Sequence, residues 1–232
     1  MQQGGSALRS IKRRNLREEA VDALRAAILG GELEPGSIHS AVSLAEHLGV
    51  SPTPVREAML ELARSGLVEV LPNRGFRVTV VDEQDLDEIC ELRLMLEVPA
   101  LKLIADRASD QELEKLEELL LKLETTAKLG DVLAVLVADR DFHLRLLSLG
   151  RNDRLVEIIA GLRDQTRIVG LQSLAAAGTL EATAAEYRPI LEALRARDMR
   201  AAQRLMASHL EHTRGIWAGH AEPAAAVPSA AG

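Results

Sequence analysis

The chain has 232 residues, 47% apolar and 27% charged, with 35 acidic against 28 basic side chains and a formal net charge of −7. That length carries one large or two modest cores, and the composition is that of a globular rather than a disordered chain. Cys90 is the only cysteine, which excludes an intrachain disulfide and a cysteine-built zinc finger and fits a cytoplasmic location; no apolar run nears the ~20 residues that cross a bilayer, so no membrane association is expected.

The charge is uneven. Residues 1–80 carry 10 basic and 9 acidic groups, residues 81–232 carry 18 and 26. Arg9, Lys12, Arg13, Arg14 and Arg17 crowd the start with no acid between positions 9 and 17. No apolar segment with a cleavage site follows, so residues 1–15 read as a flexible basic arm rather than a secretory signal.

From Leu16 the apolar residues Leu16, Ala20, Leu24, Ala27 and Ile28 recur at helical spacing, ending at Gly30-Gly31. Pro35-Gly36 marks a turn. A short helix over 41–48 places Leu44, Ala45 and Leu48 on one face and stops at Gly49. Ser51 is a natural cap for the next helix, and Pro52 and Pro54 are tolerated in its first turn because those N–H groups lack helical partners. This helix runs through Val55, Met59 and Leu62 to Ser65, ending at Gly66. Residues 67–70 and 76–80 then alternate as two short strands joined by Leu71-Pro72-Asn73-Arg74-Gly75. Residues 16–80 therefore predict a helix-turn-helix followed by a β-hairpin wing.

Beyond Asp82 the pattern is helical throughout. Asp82 and Asp85 cap a helix to about Arg107, which Pro99 is expected to kink. Further helices are predicted over 111–129, 132–149, 152–170, 180–196 and 198–217, six in all, forming an antiparallel bundle over 82–218. The alanine- and proline-rich stretch 219–232 reads as a disordered tail. The fold class is mainly α: an N-terminal winged helix-turn-helix and a C-terminal helical bundle.

Three separated stretches, Gly30 to Gly36, Leu44 to Ala58 and Asn73-Arg74-Gly75-Phe76, closely resemble the GntR family of bacterial transcription regulators. The resemblance implies a reader of double-stranded DNA whose second helix enters the major groove. Arg56, one turn into that helix, is placed to span two acceptors of a guanine. Ser51 and Thr53 offer short donors at the helix start, Arg74 beside Gly75 reaches backbone or minor groove from the wing tip, and Arg13 and Arg14 of the arm supply salt-dependent phosphate contacts. Pro52 stands where family members commonly have arginine, which shifts operator preference away from the family's usual sequence.

Residues 85–218 resemble the helical FCD effector domain of the branch that includes fatty-acid- and lactate-responsive members, on Arg93 and Glu97, Asp139, Phe142 and His143, Asn152 and Leu155, Glu186 and Ile190, Arg197-Asp198, Met206 and His209-Leu210. In many relatives one aspartate and three histidines hold a divalent metal. Here Asp139, His143 and His209 match three positions, and Tyr187 stands at the fourth. The resemblance implies zinc, nickel or manganese on three protein ligands; the alternative is a metal-free cluster in which Tyr187 contacts an organic ligand. His212 has no role in the family pattern. Arg93 is the candidate clamp for an effector carboxylate, with Arg163 and Arg167 as further candidates on one face of the fourth bundle helix.

Together these features predict a homodimeric regulator, a repressor of a palindromic operator, that senses a small organic acid. Two alternatives remain: a constitutive DNA-binding protein with a vestigial pocket, and a metal-dependent enzyme built on Asp139, His143 and His209. The enzyme is disfavoured because no general base with a matched cleft accompanies those residues.

Overall fold

A computed structural model describes residues 13–177 and 179–218, with the side chains of 13–15, 167–177 and 217 omitted. The N-terminal unit, the candidate reading head, consists of α1 (Arg13–Leu29), β1 (Ile38–His39), α2 (Ala41–Leu48), α3 (Pro52–Arg64), β2 (Val68–Leu71) and β3 (Gly75–Val78). Helix α1 begins at Arg13, so residues 13–15, expected in a flexible arm, form its first turn instead. The rest of the expected arm and the expected tail from Gly219 lie outside the described residues.

Ser40 caps α2 by accepting from the Ser43 N–H, and Gly49 closes that helix at a φ of 65°. Ser51, which is exposed, occupies the N-cap of α3 but makes no side-chain capping bond. The wing is wider than two strands. β1 pairs antiparallel with β3, giving a three-stranded sheet in the order β1-β3-β2. Two residues are too few for an alternation to register in sequence, and β1 holds its place through backbone pairing with Arg77 and Phe76.

The helical domain contains α4 (Glu83–Arg107), α5 (Asp110–Lys128), α6 (Val132–Ser148), α7 (Asp153–Ala177), α8 (Leu180–Ala185), α9 (Tyr187–Arg195) and α10 (Met199–Trp217). Capping boxes start α4 at Asp82–Asp85 and α5 at Ser109–Glu112. Helix α4 passes through Pro99 without interruption. Helix α7 extends seven residues beyond the expected end at Gly170. The single helix expected over 180–196 is two, broken at Glu186. Pro189 explains the break: it lacks the N–H that would bond to Ala185, and its ring crowds that carbonyl. The described bundle thus has seven helices rather than six.

Two hydrophobic cores form. One gathers Val21, Leu24 and Ile28 of α1 with Val55, Met59 and Leu62 of α3 and Phe76 and Val78 of the wing. The other gathers Leu101, Leu116, Leu120, Phe142, Leu146, Ile190 and Leu210, among others. Val81, between wing and α4, packs against both.

Candidate functional site

The reading face follows from the amphipathicity of α3. Val55, Ala58, Met59 and Leu62 turn inward, so Ser51, Thr53 and Arg56 are left exposed on the opposite face. Glu61, five residues on from Arg56, is taken by Arg17 of α1, and no ion pair involves Arg56 among the described residues. Its guanidinium therefore remains available to an outside acceptor. Arg74 is exposed at the wing tip. Gly75 has a backbone reason to be glycine: its φ is 107°, and a Cβ there would collide with the His39 carbonyl oxygen. Arg13 and Arg14 lie in the first turn of α1, with side chains outside the described residues.

Inside the bundle, α4, α6, α7, α9 and α10 converge on one buried polar site. Glu97 of α4, fully buried, accepts from the Arg93 Nε at 2.7 Å and from the His143 Nδ1 at 2.9 Å. Burial alone would raise its pKa, but Arg93, Arg163 and His143 outweigh that and hold the carboxyl well below its ordinary range. An ionised carboxylate can only accept, so the His143 proton sits on Nδ1 and the Nε2 lone pair faces inward. Burial, reinforced by the Arg163 charge, pushes His143 down to about 3, which keeps the imidazole neutral.

The Nε2 of His143 lies 3.4 Å from the Nε2 of His209 and 3.0 Å from the Tyr187 hydroxyl, which in turn hydrogen-bonds Asp139. On the far side, the His209 Nδ1 is bonded to Glu186 at 2.7 Å, and the same carboxylate engages the Nδ1 of His212. His212, which has no role in the family pattern, is thus buried and tied into the shell. Asp139 is held by the Arg163 Nη2 at 2.7 Å, while the Arg163 Nη1 lies 3.5 Å from Glu97.

Asp139, His143 and His209 form a candidate metal cluster, with ligand atoms within 4.8 Å of one another. The donor set fits a divalent cation. Two inward lone pairs, a carboxylate and a phenol crowd one spot with few protons to share, and each histidine is backed by a carboxylate on its other nitrogen, as metal-bound imidazoles usually are. Two nitrogens on one tetrahedral zinc, each at ~2.0–2.1 Å, would stand ~3.4 Å apart.

Asp139 and Tyr187 also line a small cavity whose other walls are largely apolar, including Leu123, Leu136, Leu180 and Ile216, with Thr183 and Thr213 as polar exceptions. Arg93 and Arg163 are both buried and answered by internal carboxylates. The Arg93 Nη2 is buried and has no hydrogen-bond partner among the described residues. Arg167 lies on α7, its side chain outside the described residues. The structuring roles of Glu97 and Glu186 were not assigned from sequence. The Arg93/Glu97 spacing of four on a buried helix face was the available signal.

Comparison with known proteins agrees with both halves. Residues 16–78 match the family model of bacterial regulatory proteins, gntR family, and residues 88–212 match that of the FCD domain. The chain is 32% identical over 188 residues to the HTH-type transcriptional regulator McbR of Escherichia coli, covering 80% of this chain and 85% of that one. It is 26% identical over 221 residues to the HTH-type transcriptional regulator LutR of Bacillus subtilis, covering 84% and 98% respectively. The solved structure of E. coli McbR/YncC superposes with a TM-score of 0.77 at 31% identity, over 87% of this chain and 96% of that one. These relatives and both matched families are transcriptional regulators, not enzymes.

Proposed function

From the premise that the chain belongs to the GntR family of bacterial transcriptional regulators and carries an FCD effector domain, we propose that it is a homodimeric repressor of a near-palindromic operator, released by a small organic acid. The reading head extends to residue 80 and the effector-binding and dimerisation domain runs over 82–218, with the protein acting in the cytoplasm beside its DNA. No helix among the described residues is long and apolar enough to cross a membrane.

The observation that supports an effector is the buried polar site opening on an apolar cavity. Asp139 and Tyr187 belong to both, so a ligand with an apolar body and a polar head would touch the metal cluster directly. Asp139, His143 and His209 would hold zinc, nickel or manganese, and the ion would supply a Lewis-acidic partner for the effector's carboxylate. An acid head on an apolar body is the chemistry that supports reading the chain as a member of the fatty-acid- and lactate-responsive branch. Tyr187 would donate to or accept from the effector, and the Arg93 Nη2, with Arg163 and Arg167, would add positive charge around it.

On the DNA side, Arg56 reads a base pair, Ser51, Thr53 and Arg74 fix the head on the backbone and grooves, Gly75 shapes the wing, and Arg13 and Arg14 contact phosphates. Two copies present two heads to two half-sites. The test is footprinting of genomic fragments, repeated with a panel of carboxylic acids. A symmetric protected tract that weakens with one acid is expected. Protection insensitive to every acid would remove the proposed switch, and absence of any protected tract would remove the operator.

A further inference from the structure

Three consecutive residues of α7 reach three separate places, because successive side chains on a helix point about 100° apart. Arg163 enters the buried site, on Asp139 and Glu97. Asp164, with 0% of its side chain exposed, accepts from the Arg140 Nε at 2.8 Å and lies 3.2 Å from the Arg25 Nε. Arg140 neighbours Asp139 on α6, whereas Arg25 belongs to α1 of the reading head. Gln165 lies with its amide nitrogen 3.4 Å from the carbonyl of Ser65, the residue that ends α3.

The backbones meet closely at this end of α3. Gly66 has a φ of 76°, and a Cβ there would run into the Gln165 side chain; a Cβ on Gly161 of α7 would sit 3.4 Å from the Ser65 carbonyl oxygen. One turn of α7 therefore touches the effector site, the first helix of the reader and the end of its recognition helix.

We propose that Asp164 is the positioning residue through which the effector site and the reading head sense each other. Its carboxylate is buried and lies against guanidinium groups of both domains, so a movement of α6 or α7 that drew it away from either one would weaken the neutralisation of a charge withdrawn from water, which is unfavourable. A ligand that displaces Asp139 or Arg163 carries Arg140 and Asp164 with it, and Arg25 makes α1 follow. Gln165 and the Gly66–Gly161 contact transmit the same displacement to α3. This inference rests on the proposed role of the buried site, and the experiment separates the two.

The experiment compares amide hydrogen exchange of the full chain with and without Zn²⁺, in the wild type and in Arg25→Gln. In the wild type, Zn²⁺ slows exchange in α6 and also in α1 and at Gly66–Leu67. In Arg25→Gln the α6 response persists and the α1 response is lost, while Arg25→Lys, which keeps the charge, retains it. An α1 response undiminished in Arg25→Gln overturns the relay. If Zn²⁺ leaves α6 unchanged in the wild type, the metal assignment fails, and the relay is then read from affinity for a protected DNA fragment. There, Tyr187→Phe, which removes the hydroxyl from Asp139, is combined with Arg25→Gln. The pair is expected to depart from the product of the single effects by about fivefold or more; agreement within about twofold overturns the relay.

Discussion

The Nε2 atoms of His143 and His209 stand 3.4 Å apart although the residues are 66 positions apart in sequence. Each ring is oriented by a carboxylate on its other nitrogen, Glu97 for His143 and Glu186 for His209. Protein stripped with chelator is expected to take up one Zn²⁺, Ni²⁺ or Mn²⁺ per chain by calorimetry, and His143→Ala or His209→Ala to abolish uptake. Glu186→Gln should weaken it about 10–100-fold by freeing the ring it orients. Tyr187→His, which supplies a further imidazole, should tighten it. A stripped wild-type protein that binds none of the three ions would refute the assignment.

Arg56 is exposed on the outer face of α3, and no ion pair involves it among the described residues. Replacing it with alanine should cost about 1–3 kcal/mol of operator binding and relax preference at one base pair of each half-site. Arg74→Ala should instead weaken all sequences alike and reduce the salt dependence of binding by roughly one phosphate contact. Titrations on the protected fragment and on single-base variants, at two salt concentrations, distinguish the two behaviours.

Acid should destabilise the metal-free protein in a defined window. His143 has an ordinary value of 6.5 and is pushed to about 3 in the fold, first by burial and then by Arg163, against the opposing pull of Glu97. Between those values the unfolded chain binds a proton that the folded chain refuses, so stability falls as pH drops through the window and is unaffected by this group above it. One proton corresponds to at most ~1.4 kcal/mol per pH unit. Glu97, held below its ordinary value by its charged neighbours, adds stability above about 4.5 that is lost at lower pH, in the same direction. Urea midpoints of the stripped protein at pH 7.5 and 5 should differ, and the difference should shrink in His143→Gln. An undiminished slope in that variant would show that this imidazole is not the group responsible.

Gly75→Ala should damage the wing without touching DNA. The residue sits at a φ of 107° against the His39 carbonyl, so an added methyl group strains the backbone by an amount on the order of 1–3 kcal/mol and pushes β1 off β3. Thermal unfolding and operator affinity should both fall. A variant as stable as wild type but impaired on DNA would point instead to direct contact through Gly75.

Local periodicity made much of the fold legible. The apolar spacing of α1 to α3, the Gly49 stop and the Asp82 cap of α4 are visible in short windows, because each depends on residues three or four apart. Features with no local signature were missed. β1 is two residues long and exists only through β3. The break between α8 and α9 is of a different kind, since Pro189 marks it locally.

The same division runs through the candidate site. Asp139 and His143, four residues apart on one helix, were placed together from sequence by spacing and resemblance. Pairing Glu97 with His143 across 46 positions, Glu186 with His209 across 23, and Asp164 with Arg140 across 24 required the helices to cross at particular points. Periodicity tells which face of a helix is buried. Which buried charge meets which is decided by how the helices pack, since a charge withdrawn from water must find its partner wherever the packing brings one.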